Sequence, residues 1–191
     1  EMCIRDSTSS TPDNTVFTFA SNFQGFKTIW SPNGGTIDVS AVTAQTDTTK
    51  ITNIIDLNAG DYSSIGIQGP SQAILDTRTQ GIINFWTYDG LNNVAISYGS
   101  KVNKAIGGSG NDIFYADMLN SDNIDGGLGN DTVYLYGKNG DAVSSDYNIV
   151  TNTDGTTTFT SLTTPSLAVT VKSVEFVGIY SSLNQTHTQN E

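Results

Sequence analysis

The sequence predicts an all-β fold in which a parallel β-roll is flanked by antiparallel, β-sandwich-like strands. A glycine-rich segment occurs twice, at residues 107–112 (GGSGND) and 126–131 (GGLGND), and an apolar residue, Phe114 or Val133, stands two positions after each copy. The chain is also rich in Thr, Ser, Asn and Gly and lacks long helix-forming runs, a composition typical of β proteins. Short stretches in which apolar and polar residues alternate recur along it, as expected for strands.

Both copies match the calcium-binding nonapeptide G-G-x-G-x-D-x-U-x, in which U is a large apolar residue. Glycines permit positive φ and let carbonyls crowd around one ion, and the aspartate adds a hard anionic oxygen. The apolar residue starts a short strand that points inward. Because one turn supplies only part of a coordination sphere, the turns must stack. The predicted Ca²⁺ ligands in these two turns are Gly107, Gly108, Ser109, Gly110, Asp112, Gly126, Gly127, Leu128, Gly129 and Asp131.

The spacing of aspartates extends the pattern. Asp112, Asp122, Asp131 and Asp141 are separated by 10, 9 and 10 residues, which predicts four successive turns, two of them degenerate. Alternate turns of a two-sided roll share an edge, so we expect one calcium ion between Asp112 and Asp131 and another between Asp122 and Asp141. In the last turn Asn139 stands where glycine stood, and asparagine also tolerates a left-handed conformation. The alternative is a set of ordinary Asx–Gly β-turns, which two in-phase matches disfavour.

Charge and composition exclude several classes of function. The chain has 191 residues, and its 8 basic against 19 acidic residues give a net charge of −11. This balance argues against nucleic acids and anionic membrane surfaces, which require clustered Lys and Arg. No stretch approaches the roughly 18 apolar residues of a membrane span. An acidic chain suits a protein that neutralises its carboxylates with metal ions.

Alternation and turn residues place the strands in order. The predicted strands cover residues 14–20, 26–30, 36–42, 51–57, 62–67, 81–88, 94–98, 147–151, 156–160, 168–171 and 174–180. Residues 31–35 (SPNGG) are a strong turn signal, and Asp154-Gly155 predicts a hairpin. Residues 71–75 are expected to form one helical turn.

The organisation of the chain follows from these elements. The opening EMCIRDS resembles a translated sequencing adapter, so we expect it to be non-native and the chain to be a fragment with a missing N-terminal partner domain. The predicted segments are the non-native residues 1–7, a linker at 8–13, a main domain at 14–143 with the β-roll at 105–143, an antiparallel closing unit at 144–180 and a disordered tail at 181–191.

Four stretches together resemble the C-terminal domain of serralysin-type secreted metalloproteases, the calcium β-roll domain of RTX proteins. They are TVFTFASN (15–22), TIW…GGTIDVS (28–40), IDLNAGDYSSIG (55–66) and NNVAISYGSKVNKAIGGSGND (92–112). The resemblance implies Ca²⁺ as the bound ion, export by type I secretion machinery and an extracellular location. The family has aspartates for a further calcium ion near Trp30. Here Ser31 replaces one of them, and Asp38 is the remaining candidate ligand.

Catalytic chemistry is absent from this sequence. The zinc motif H-E-x-x-H does not occur, and the single histidine, His187, lies in the polar tail, so no nucleophile–base pair can be assembled. We therefore predict a calcium-binding structural module that folds outside the cell. One alternative is the C-terminal part of a zinc metalloprotease whose catalytic domain is missing. The other is an adhesin or carbohydrate-binding module, whose candidate sugar-binding aromatic residues are Trp30, Tyr62, Trp86 and Tyr88.

Overall fold

Two mixed β-sheets of seven strands each dominate the computed structural model, which describes residues 14–43, 49–67, 74–76, 81–83, 90–117, 120–137 and 144–181. The first sheet contains, in spatial order, β1 (Thr15–Thr18), β3 (Gly35–Asp38), β9 (Val102–Ile106), β11 (Asn123–Asp125), β15 (Ala168–Lys172), β14 (Thr157–Ser161) and β13 (Tyr147–Thr151). The second contains β16 (Phe176–Ser181), β12 (Thr132–Gly137), β10 (Asn111–Asp117), β4 (Ile51–Asp56), β5 (Tyr62–Ile65), β8 (Val94–Ile96) and β2 (Lys27–Ile29). The predicted all-β class is confirmed.

Four coils, each made of one strand from either sheet, form a parallel roll. The coils are β3–β4, β9–β10, β11–β12 and β15–β16, and neighbouring coils pair in parallel in both sheets. In the second sheet the register aligns Ile55, Phe114, Val133 and Val177. The first three of these side chains are fully buried. Phe114 and Val133, which stand two positions after the aspartates of the two glycine turns, therefore fill the core, as the repeat predicts.

In the first sheet the corresponding row consists of Ile37, Ala105, Ile124 and Val171. All four side chains are buried, and they face the row from the second sheet within one apolar cluster. The core of the roll is thus a two-sided stack of apolar residues, because side chains alternate between the two faces of each strand. This stack fixes the register, since a slip by one residue would turn every apolar side chain outward.

The first and the last coil are separated in the sequence from the two middle coils by other strands, which corrects two predictions. The closing unit predicted at residues 144–180 is antiparallel only through β13, β14 and the contact of β14 with β15. Strands β15 and β16 run parallel to β11 and β12 and form the last coil, because Val171 and Val177 continue the two apolar rows. The roll also begins before the predicted 105–143 span, with β3 and β4.

Smaller differences concern single elements. Residues 74–76, the end of the predicted helical turn, form β6 (Ile74–Asp76), which pairs antiparallel with β7 (Gly81–Ile83). Strand β3 ends at Asp38, earlier than predicted, because the Asp38 carboxylate accepts the Ser40 amide and starts a turn. The predicted segments 1–7 and 8–13, residues 182–191 of the tail, and Trp86, Tyr88 and His187 lie outside the described residues. The described part of the chain contains no helix long and apolar enough to cross a membrane.

Candidate metal centre

One edge of the roll carries a row of polar side chains, one from each coil, where the chain crosses from the first sheet to the second. The row consists of Asn53, Asp112, Asp131 and Glu175. Asn53 Nδ2 donates a hydrogen bond of 2.8 Å to Asp112 Oδ1. Asp131 Oδ1 accepts the Asp112 amide at 2.8 Å, and Glu175 Oε2 accepts the Asp131 amide at 2.6 Å. Each side chain in the row therefore contacts the neighbouring coil.

Glycines allow the turns of this edge to stack closely. The Gly107 amide donates to the Asp125 carbonyl at 2.7 Å, and the Gly126 amide donates to the Lys172 carbonyl at 2.9 Å. A Cβ atom on Gly107 would collide with the Gly126 carbonyl oxygen, and a Cβ atom on Gly126 would collide with the Ser173 carbonyl oxygen. Only glycine fits where a neighbouring turn approaches so closely. The close stacking gathers main-chain carbonyl oxygens beside the carboxylates.

The two aspartates of the row are buried acids. Burial raises the pKa of Asp112 to about 6, although hydrogen bonds from the Gly108 amide and from Asn53 act in the opposite direction. Burial also raises the pKa of Asp131 to about 7, and the nearby charges of Asp112 and Glu175 add to the increase. The Asp131 side chain is 1% exposed, and its Oδ2 atom has no hydrogen-bond partner. A buried carboxylate oxygen without a partner is costly unless a cation neutralises it.

The donor set fits a hard cation. In the described ranges, no three Asp, Glu, His or Cys side chains converge on one point that could hold a metal ion. Strands lie about 4.8 Å apart, so one ion between two turns would contact two carboxylates and take its other ligands from carbonyl oxygens. Calcium uses six to eight such oxygen ligands, whereas zinc prefers nitrogen and sulfur. Asp112, Asp131 and the carbonyls of the glycine turns are therefore the residues that could hold calcium.

The structure stacks the two strict turns, residues 107–112 and 126–131, and it pairs Asp38 in register with Ile106, just before the first of them. Asp122 is buried at the opposite edge, just before β11, and its carbonyl accepts the Thr170 amide at 2.9 Å. Its predicted partner Asp141, together with Asn139, lies outside the described residues. Asp38 stands at the end of β3, where its carboxylate caps its own turn.

The aromatic residues predicted to form a sugar-binding face do not all lie in the described ranges. Tyr62 is 56% exposed, while Trp30 is half-buried and close to Gly99. The other two, Trp86 and Tyr88, fall between described segments.

Two members of the polar row, Asn53 and Glu175, were missed by sequence reasoning. Their local sequences, TNII and VEFV, contain no glycine and do not match the nonapeptide. The signal that could have found them is the shorter pattern of a polar residue followed two positions later by a buried apolar one. Asn53 precedes Ile55 in this way, and Glu175 precedes Val177, as Asp112 precedes Phe114.

Comparison with known proteins agrees with this arrangement. A family model described as "Peptidase M10 serralysin C terminal" matches residues 83–190, which is more than half of the chain. The matched segment contains both strict turns and Glu175. No curated protein matches the chain.

Proposed function

Because the chain belongs to the serralysin C-terminal family of the M10 peptidases, whose matched domain is a non-catalytic part of the protease, we propose that it is a calcium-binding structural module of a secreted protein. The resemblance drawn from the sequence is confirmed by the family match. Proteins of this family are typically secreted. The single observation that supports calcium binding is the buried pair Asp112 and Asp131, stacked on two glycine turns whose carbonyls crowd beside them.

We infer that calcium acts as a folding signal. Without the ion, Asp112 and Asp131 repel each other inside the turn stack, and the turns stay open. Such a chain could cross the cell envelope unfolded through type I secretion machinery. Outside, calcium at roughly millimolar concentration would meet sites of the kind tuned to about 10⁻⁴–10⁻³ M. At ten times the dissociation constant, each site would stabilise the folded chain by about 1.4 kcal/mol.

Calorimetry and circular dichroism against calcium test this function. Asp131→Ala removes a charged ligand, so we expect its calcium affinity to fall by about tenfold or more, with Asp112→Ala close to it. Asp122 and Asp141 should matter less, because their turns have lost glycines. Asp154→Ala is the matched control, since the Asp154 carboxylate is exposed in a hairpin and bonds only to Thr156 nearby. A β signal unchanged in excess chelator, with Asp131→Ala binding as tightly as wild type, would refute the function.

The family match favours a second candidate for the parent protein. A chain with a serralysin C-terminal domain could be the end of a zinc metalloprotease whose catalytic domain is encoded elsewhere in the reading frame. Reading the upstream frame tests this. A motif H-E-x-x-H-x-x-G-x-x-H would identify a protease, whereas further repeats would indicate a structural or adhesive protein.

A further inference from the structure

The second sheet ends at a strand whose outer edge is open. Strand β16 is its last member, and among the described residues no strand pairs with the side of β16 that faces away from β12. The Phe176 amide donates to the Asp131 carbonyl at 3.1 Å, so its main-chain groups face β12. In a parallel ladder alternate residues turn to opposite neighbours, so the N–H and C=O groups of Val177 and Ile179 point to the open edge.

The side chains of β16 do not protect this edge. Exposed edge strands are usually shielded by Lys, Pro, bulges or short length. The segment FVGIYS is 6 residues long, contains no charged residue and no proline, and pairs regularly with β12. By contrast β2, at the other end of the same sheet, has only 3 residues. Phe176 and Tyr180 are 55% and 49% exposed, so β16 is a long apolar edge of the kind that recruits another strand.

The hairpin of β13 and β14 leaves room for one strand beside β16. The first sheet continues beyond β15 with these two strands, whereas the second sheet stops at β16. Phe159 of β14 belongs to the core cluster, and it pairs with Ile149 of β13 on the same side of the hairpin. Ile149 is 43% exposed. A strand added to β16 would lie across from β14 and cover the exposed part of Ile149.

A whole second roll does not fit in this place. If β16 paired with β16 of a second copy about a two-fold axis, both copies would contribute the same edge. The second copy's own β15 would then fall where β14 stands, because β15 and β16 form one coil and lie on facing sheets. The occupant that fits is therefore a single extended segment.

The segment that follows β16 has a sequence suited to such a strand. Residues 185–189 read QTHTQ, in which threonine alternates with larger polar residues. Threonine favours strands, and a period of two is the pattern of a strand with two different faces. Residues 182–190 contain no Asp, Glu, Lys or Arg, although the chain has a net charge of −11, so charge repulsion does not keep them from the roll.

The shortest hairpin connection gives a consistent register. A loop of two residues, 182 and 183, places Thr186 opposite Ile179 and Thr188 opposite Val177. Both threonines are then on the face that looks toward the hairpin, and the larger polar residues are on the outer face. The main-chain groups of both threonines also meet the open N–H and C=O groups of β16.

We propose that residues 184–189 form a further antiparallel strand on the open edge of β16 and cover the apolar end of the roll. Main-chain hydrogen bonds to Val177 and Ile179 hold the segment. Its outer polar residues replace an apolar edge by a hydrated one. The segment thereby shields the roll from strand addition by other chains, a role separate from calcium binding.

Hydrogen exchange of single amides in β16 tests this, with calcium present and at low protein concentration. The full chain is compared with a chain that ends at Ser181. The Gly178 and Tyr180 amides face β12, so they should stay protected in both and report that the roll is folded. The Val177 and Ile179 amides should be protected in the full chain and exchange at least about tenfold faster in the shortened chain.

Two proline variants of the full chain form a matched pair. Thr186→Pro removes an amide that donates to Ile179 in the proposed strand, so it should expose the Val177 and Ile179 amides as truncation does. His187→Pro removes an amide that points away from β16, so exchange of these two amides should stay close to that of wild type.

Equal exchange of the Val177 and Ile179 amides in the full and shortened chains would overturn the proposal. Protection that increases with protein concentration would also overturn it, because a second copy would then cover the edge. Should the shortened chain fail to fold, the proline pair decides, and equal exchange in Thr186→Pro and His187→Pro rejects the strand. None of these outcomes depends on calcium affinity, so the proposed function stands or falls separately.

Discussion

At the scale of single residues, the buried carboxylates of Asp112 and Asp131 set how the calcium-free chain responds to pH. Burial raises both pKa values, to about 6 and about 7, above the ordinary value of 3.8. The folded state therefore binds protons more tightly than the unfolded state between these values. By linkage, the contribution of these two carboxyl groups to the free energy of unfolding is fully present below pH about 4 and is lost as the pH rises to about 7.

We therefore predict that, in excess chelator, the folded fraction of the chain falls as the pH rises from about 4 to about 7. Asp131→Asn should flatten this dependence, because the amide does not titrate. Calcium competes with protons for the same oxygens, so its affinity should rise over the same interval. Circular dichroism at several pH values measures the first effect and calorimetry the second. A folded fraction that rises with pH in chelator would contradict the assignment of these carboxylates as buried and unfavourably placed.

At the scale of elements, the turn glycines are required by the approach of the next turn. Gly126 has no positive φ, but a Cβ atom there would collide with the Ser173 carbonyl. Gly155, in the hairpin between β13 and β14, has φ of +84° and no atom within 4 Å of an added Cβ. Glycine is thus required at position 126 because a side chain would not fit, and it is favoured at position 155 because of the left-handed backbone.

Gly126→Ala should accordingly disrupt the stacking of the turn at residues 126–131 against the turn between β15 and β16. We expect it to weaken calcium binding and to destabilise the chain more than Gly155→Ala, which should cost only about 1–2 kcal/mol for its left-handed backbone and leave calcium affinity unchanged. Urea unfolding with calcium and a calcium titration compare the two variants. Equal stability losses together with equal calcium affinities would mean that the turns are less tightly stacked than the structure shows.

A second element-scale feature is a group of four tyrosines on the second sheet. Tyr115, Tyr134, Tyr136 and Tyr180 pack with ring centroids 5.4 to 6.2 Å apart. Gly178 pairs with Tyr134 across the strands, and an added Cβ would lie 2.8 Å from the Tyr134 ring. The glycine thus leaves room for the ring, and the tyrosines join β10, β12 and β16 from outside the core.

Tyr134→Leu should destabilise the chain by about 1–2 kcal/mol, because Tyr134 contacts two rings and each aromatic pair contributes roughly 0.5–1.5 kcal/mol. Tyr62→Leu serves as the control, since Tyr62 is largely exposed on β5, and it should change stability by less than about 0.5 kcal/mol. Both are measured by urea unfolding in calcium. Similar losses of unfolding free energy in the two variants would show that the ring contacts add no stability beyond the burial of surface area.

At the scale of the whole molecule, the matched family domain is a non-catalytic part of the protease. The sequence has no H-E-x-x-H motif and one histidine, His187. We predict that the purified chain cleaves no casein, with or without zinc, because no side chains can form the histidine cluster that holds a catalytic zinc ion. Zinc-dependent cleavage by a homogeneous preparation, abolished by His187→Ala, would contradict this prediction.

The features that could be predicted from the sequence are those that depend on local chemistry. The glycine turns at residues 107–112 and 126–131 can be recognised in the sequence because only glycine tolerates the close approach of the next turn. Phe114 and Val133 can be predicted as core residues because successive side chains of a strand point to opposite faces of the sheet. These features were enough to predict an all-β roll and to place Asp112 and Asp131 on one edge.

The distant segments that complete the roll could be identified only from the strand pairing in the folded chain. Asn53 and Glu175 join the polar row because β4 pairs with β10 and β16 pairs with β12, and such pairings depend on which apolar rows pack together. Their local sequences, TNII and VEFV, contain no glycine, so the nonapeptide pattern does not identify them. A turn's conformation depends on its own residues. Strand order depends instead on which apolar side chains are buried together, and these come from segments far apart in the chain.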